Sequence, residues 1–131
     1  MIQHDNPSAR TGKFLSGLAA VLLALDSLGK LLRAQAVLDG TAQLGYSVNT
    51  VFPLGLLLLA CVVIYVVPRT AILGALLLTG YLGGAVATHV RVGNPLFTHI
   101  LFPTYVAALI WGGLMLREAR LRALAPWRRP A

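Results

Sequence analysis

The apolar positions of this chain fall into long runs rather than short alternations, and such runs predict helices that cross a bilayer. A spanning helix needs about 20 apolar residues, because about 1.5 Å of rise per residue must cover a hydrocarbon core about 30 Å thick. Four runs have the length: residues 14–32, interrupted by charge only at Asp26 and Lys30, then 48–67, 71–90 and 95–116. The last opens on Asn94 as a helix cap and Pro95 as first helical residue, where its missing amide hydrogen costs nothing. Short polar turns at 68–70 and 91–94 make neighbouring spans antiparallel. The expected fold is all-α: a four-helix, up-and-down membrane bundle in a single domain over 1–131, with 1–13 and 117–131 as polar tails.

Between the first two spans, Val37, Leu38, Thr41 and Leu44 share a face, with Arg33, Gln35 and Asp39 elsewhere. That pattern predicts a short helix lying at the interface, stopped at Gly45. Pro53 and Pro103 are expected to open their helices next to protein rather than lipid, since only protein or water can satisfy the freed carbonyls. A cleaved leader over the first run is the competing reading, because Arg10 and Lys13 precede it. No small-x-small site follows Leu25, however, and the apolar run resumes after Asp26.

Composition strengthens the membrane assignment. Hydrophobic residues make up 57% of the chain and charged residues 11%, with a mean hydropathy of +0.77. A soluble core could not hide so much apolar surface, and disorder requires the opposite balance. Cys61 is the single cysteine, so neither an intrachain disulfide nor a cysteine-rich metal site can be built, and no metal site is expected. The net charge of +7 carries no aromatic-interleaved patch and points to orientation rather than nucleic acid. Arg10, Lys13, Arg69, Arg117, Arg120, Arg122, Arg128 and Arg129 fall at one face of the predicted bundle, and Lys30, Arg33 and Arg91 at the other. Both termini are accordingly expected in the cytoplasm; Trp111 and Trp127 fit an interfacial belt less neatly, Trp111 standing about a turn and a half short of Arg117, but do not contradict the count.

The ionisable residues inside the spans call for an explanation. Asp26 lies about 9 Å of helix rise below Leu32, where an aspartate costs on the order of 2.5–3.5 kcal/mol. Lys30, four residues on, is its natural partner. In the third span Tyr81, Gly84, Ala85, Thr88 and Arg91 share one side, with His89 at its edge. Gly80 with Gly84, and Gly83 with Ala87, form small-xxx-small pairs suited to close helix packing. In the fourth, Thr98, His99 and Tyr105 lie toward the same leaflet. Asp26, Lys30, Tyr81, His89, Arg91 and His99 thus form a candidate polar pocket in the outer half of the bundle. The plainer alternative makes Asp26 and Lys30 a structural ion pair, Arg33 and Arg91 interface anchors, and the histidines hydrogen-bonded caps. No hydrolase motif, phosphate loop or dinucleotide fingerprint appears, so no catalytic activity of the chain's own is expected.

Several of these residues lie in blocks that resemble the DoxX-like family of small four-helix membrane proteins. The blocks are Asp26-Ser27-Leu28-Gly29-Lys30-Leu31, Leu44-Gly45-Tyr46, and Gly80-Tyr81-Leu82-Gly83-Gly84-Ala85-Val86-Ala87-Thr88-His89-Val90-Arg91. The family often has an aromatic residue where this chain has Asp26. It is named for likeness to the membrane subunit of a thiosulfate:quinone oxidoreductase, and most members have no defined activity. The resemblance implies a multi-pass protein of a bacterial-type inner (plasma) membrane. It further implies that Lys30, His89 and Arg91 face a quinone or anionic substrate and that Tyr81 lines the pocket. Three functional readings stay open: a redox accessory protein with a quinone or similar small molecule as ligand, an assembly factor docking a membrane protein partner or a second copy, and a small proton-coupled transporter.

Overall fold

A computed structural model describes residues 7–124; Trp127, Arg128 and Arg129 lie outside the described residues. The first helix, α1 (Pro7–Leu31), starts seven residues before the apolar run at residue 14. This polar extension is helical because it docks on the fourth span: a Cβ on Gly12 would fall 2.7 Å from the Gly113 carbonyl oxygen. Helix α2 (Gln35–Gln43) follows, with Thr41 buried. Ser47 caps a 3-10 turn, its hydroxyl accepting from the Asn49 amide at 3.1 Å, and the chain runs straight on into α3 (Val51–Val66). Pro53 therefore sits in a first turn, where no carbonyl is freed, and it is exposed rather than packed on protein as expected.

A second 3-10 turn, Pro68–Thr70, leads into α4 (Ala71–Val92). The fourth crossing departs most from expectation. Asn94 does not cap it: the Asn94 amide turns back onto His89, and Pro95 flanks a π-helical turn, Leu96–Ile100. Its wide bonds run from Ile100 N–H to Pro95 O (3.2 Å) and from Leu101 N–H to Leu96 O (2.9 Å). The regular helix α5 (Phe102–Arg117) begins only afterwards, with Pro103 in its first turn. Pro103 has no N–H to offer the carbonyl of His99, so the ladder breaks there, and Pro103 is buried. Beyond Glu118 the short α6 (Ala119–Ala123) follows.

Four stretches are long and apolar enough to cross a membrane: Pro7–Leu31, Val48–Val66, Pro68–Val92 and Leu96–Arg117. They close a ring in which α1 and α4 each pack against both α3 and α5. The core consists of residues such as Leu23, Leu58, Leu78, Ile110 and Leu114. At most a third of the most apolar stretch of any span is buried in the protein, and Leu25, Leu57, Val63 and Leu76 are more than half exposed. Such a surface is stable only against lipid. Trp111 turns its indole N–H inward to Thr79 Oγ1 on α4 (2.8 Å), so its partner is protein rather than a headgroup.

The spans cross at small residues, but not at those expected. A Cβ on Gly74 would overlap the Tyr65 backbone, one on Gly55 would fall 2.7 Å from Lys30 Cβ, and Gly113 faces Ser16 and Gly12. At Gly80, Gly83 and Gly84 a Cβ would meet nothing within 4 Å. Gly80, Gly83 and Gly84 therefore bring no described helix into close backbone contact.

Candidate functional site

Helices α1, α2 and α4 end in the same way, and these ends build one pole of the bundle. Each closes with paired bonds to its last carbonyls: Ala34 N–H to Gly29 O, Tyr46 N–H to Thr41 O and Asn94 N–H to His89 O. The residue before each donor is left-handed, at Arg33 (φ 53), Gly45 (φ 88) and Gly93 (φ 73). This geometry suits glycine and strains Arg33. Arg33 also lies over the Phe52 ring, 6.0 Å from its centroid. The α4 end grips the loop after α2: Arg91 Nη2 donates to Leu44 O (2.6 Å), and the Tyr46 hydroxyl lies 2.8 Å from Thr88 Oγ1.

Beneath this pole lies a cavity of about 370 Å³, open to one side, between α1, α4 and α5. Leu22, Leu23, Leu82, Phe102 and Val106 form its apolar walls, and Asp26, Tyr81 and His89 are its polar residues. Each carries unused hydrogen-bonding capacity. Lys30 Nζ donates to one Asp26 oxygen at 2.5 Å, and the aspartate side chain is 45% exposed against 13% for the lysine. Lys30 therefore supports Asp26 from outside the cavity, its stem lodged against Gly55. The Tyr81 hydroxyl bonds to no described residue. His89 Nδ1 is 2.7 Å from the Asn94 amide nitrogen. That nitrogen can only donate, so Nδ1 accepts, and the ring proton of the neutral imidazole sits on Nε2.

The structure thus brings three of the six candidate residues to one cavity and places the others around it. His99 stands edge-on to His89, ring centroids 5.8 Å apart, with its own Nδ1 2.8 Å from Thr98 Oγ1. Arg91 holds the Leu44 carbonyl and does not line the cavity. The π-turn before α5 is what lets Phe102 and Pro103 form a wall there.

A second polar cluster, at the other pole, has no counterpart in the sequence reading. The buried Tyr65 hydroxyl lies 3.1 Å from the Ile110 carbonyl and 2.8 Å from Ser16 Oγ. Arg117 Nε donates to the same Ser16 oxygen at 3.2 Å, and its guanidinium lies 5.9 Å from the Tyr65 ring centroid. The Tyr65 hydroxyl is the donor in both contacts, its proton shared between the Ile110 carbonyl and the Ser16 hydroxyl oxygen. A tyrosine inside an apolar run was the available signal, since a hydroxyl at membrane depth requires a partner.

The arrangement defines a class: a four-span helical membrane protein with a partly open cavity near one end of the bundle, lined by Asp26, Tyr81 and His89 among apolar residues. The chain belongs to the DoxX-like family, whose family model matches residues 14–113. Comparison with curated proteins gave no match, and comparison with solved structures gave none.

Proposed function

We propose that this DoxX-like protein is an accessory component of a membrane redox process and that the cavity between α1, α4 and α5 receives the head of a quinone or a similar carbonyl-bearing amphiphile. The observation that carries the reading is the convergence of Asp26 from the first span with Tyr81 and His89 from the third on one apolar-walled space. Its 370 Å³ falls at the lower end of the roughly 300–1,000 Å³ usual for small-molecule sites, a size suited to a single ring with its tail left in lipid. A ring carbonyl can accept from the Tyr81 hydroxyl and from His89 Nε2–H, while Leu22, Phe102 and Val106 cover the ring faces. When bound, the quinone supplies the electron-accepting chemistry. The chain's residues bind and orient it, and Asp26, paired with Lys30, offers a hydrogen-bond acceptor at the rim. We further place the spans in up-and-down order with both termini at the cytoplasmic face of a bacterial-type inner membrane. Among the described residues Arg10, Lys13, Arg69, Arg117, Arg120 and Arg122 lie at the pole opposite α2, against Lys30, Arg33 and Arg91 at the α2 pole, the asymmetry the positive-inside rule uses.

The test is ligand-dependent stability of the protein in mild detergent, titrated with a short-chain benzoquinone analogue. Binding to the folded state raises stability by about 2.7 kcal/mol at a hundredfold excess over Kd. Tyr81→Phe and His89→Ala each remove one hydrogen bond of about 1 kcal/mol and are expected to weaken binding several-fold. An unchanged melting profile at saturating quinone overturns the reading. A second reading, docking of a membrane partner or a second copy, is favoured by the Gly80, Gly83 and Gly84 face, which is open to lipid.

A further inference from the structure

The pole opposite the cavity holds a different kind of recess. A cleft of about 600 Å³ lies between the α3–α4 turn and the end of the fourth span. Arg69 enters it from the turn, Arg117 from the end of α5, and Arg120 and Glu118 from the junction with α6, with Ile72 among its apolar residues. The arginines of this pole differ in how they are engaged. Arg122 is occupied, donating from Nη1 to Met115 O (2.8 Å) and Leu116 O (2.9 Å), the last carbonyls of α5. Arg117 holds Ser16 through Nε alone. Arg69 and Arg120 bond to no described residue, and Glu118 pairs with neither. Three arginines and one glutamate thus line one recess, and among the described residues Glu118 is the only carboxylate there to balance them.

We propose that this cleft is a binding site for the phosphate of an anionic phospholipid headgroup. Guanidinium forks match phosphate oxygens in geometry and charge, and basic recesses between span ends are suited to acidic lipid heads. The cleft lies where two membrane spans end, beside Ile72 and the exposed Leu73 and Leu76, so a seated headgroup leaves its acyl chains in the bilayer. That placement favours a lipid over a soluble phosphate. The site is independent of the quinone reading, which concerns the other pole.

Native mass spectrometry of the full-length protein, released from micelles containing equal phosphatidylglycerol and phosphatidylcholine, tests it. The wild type is expected to retain phosphatidylglycerol in preference. Arg69→Gln and Arg120→Gln should each lower that retention about five-fold, the weight of one surface arginine near anionic lipid, and Glu118→Gln, which removes the one carboxylate in the cleft, should raise it. Arg122→Gln, equal in charge change but outside the cleft, should leave it unaltered. Equal retention of the two lipids overturns the proposal, as does a loss in Arg122→Gln matching that in Arg120→Gln. Displacement of the lipid by excess inorganic phosphate would make this a site for a soluble anion and overturn the lipid assignment. Should the arginine variants fail to fold, Glu118→Gln, with both arginines intact, decides the matter: retention no greater than wild type overturns it.

Discussion

Asp26 and Lys30 separate the cost of a charge from the cost of a lost partner. The ammonium is the more enclosed of the two, so removing the carboxylate leaves a shielded cation without its counter-charge. Asp26→Ala is expected to destabilise the protein by about 1.5–3 kcal/mol, the range for hydrogen bonds to charged groups. Adding Lys30→Met, which keeps a flexible stem against Gly55, should recover most of that loss. Unfolding in mixed detergent and sodium dodecyl sulfate checks both, and a double variant no better than the single would mean that the pair does not set the cost. Tyr65 makes the same point without charge. Tyr65→Phe breaks the Arg117–Ser16–Tyr65–Ile110 series and should cost about 1 kcal/mol, typical of hydrogen bonds between membrane helices. Ser16→Ala should cost about as much and be less than additive with it, because both sever one series.

At the scale of helices, the closeness of two spans is set by where backbone must meet backbone. Gly74→Ala places a methyl group into the Tyr65 backbone, which a helix pair can relieve only by separating. We expect Gly74→Ala to abolish stable folding or cost about 1–3 kcal/mol, the range for overpacking. Gly80→Ala and Gly84→Ala, open on every side within 4 Å, should leave the unfolding midpoint unchanged. If the open face docks a partner, Gly84→Leu will lose in-membrane crosslinks while the chain itself stays folded. The contrast also shows what could be read from sequence. Span positions followed from hydropathy because a bilayer imposes a length, and Gly45 marked a helix end because left-handed backbone suits glycine. Arg33 in the same conformation gave no such sign. Small-xxx-small spacing identified glycines able to pack, yet the contacts fall on Gly12, Gly55, Gly74 and Gly113, because the choice depends on how helices are rotated in the ring. Asp26, Tyr81 and His89 were legible as costly or polar residues at lipid depth, whereas the apolar wall at Phe102 and Pro103 depends on a π-turn that no apolar periodicity encodes.

For the molecule as a whole, the two poles impose opposite chemistry on the two membrane faces. One carries helix α2, the cavity and few cations; the other carries most of the arginines and the cleft at Arg69. Loops rich in arginine and lysine remain on the cytoplasmic side during insertion, so the orientation proposed here puts the cavity at Asp26 in the outer leaflet and the basic cleft in the inner one. Cys61 is buried at membrane depth, which leaves the chain ready for single-site labelling. A membrane-impermeant maleimide added to intact cells should modify Gln43→Cys, on the exposed side of α2, and spare Ala123→Cys at the end of α6 until the cells are lysed. The reverse pattern would place the cavity beneath the inner headgroups.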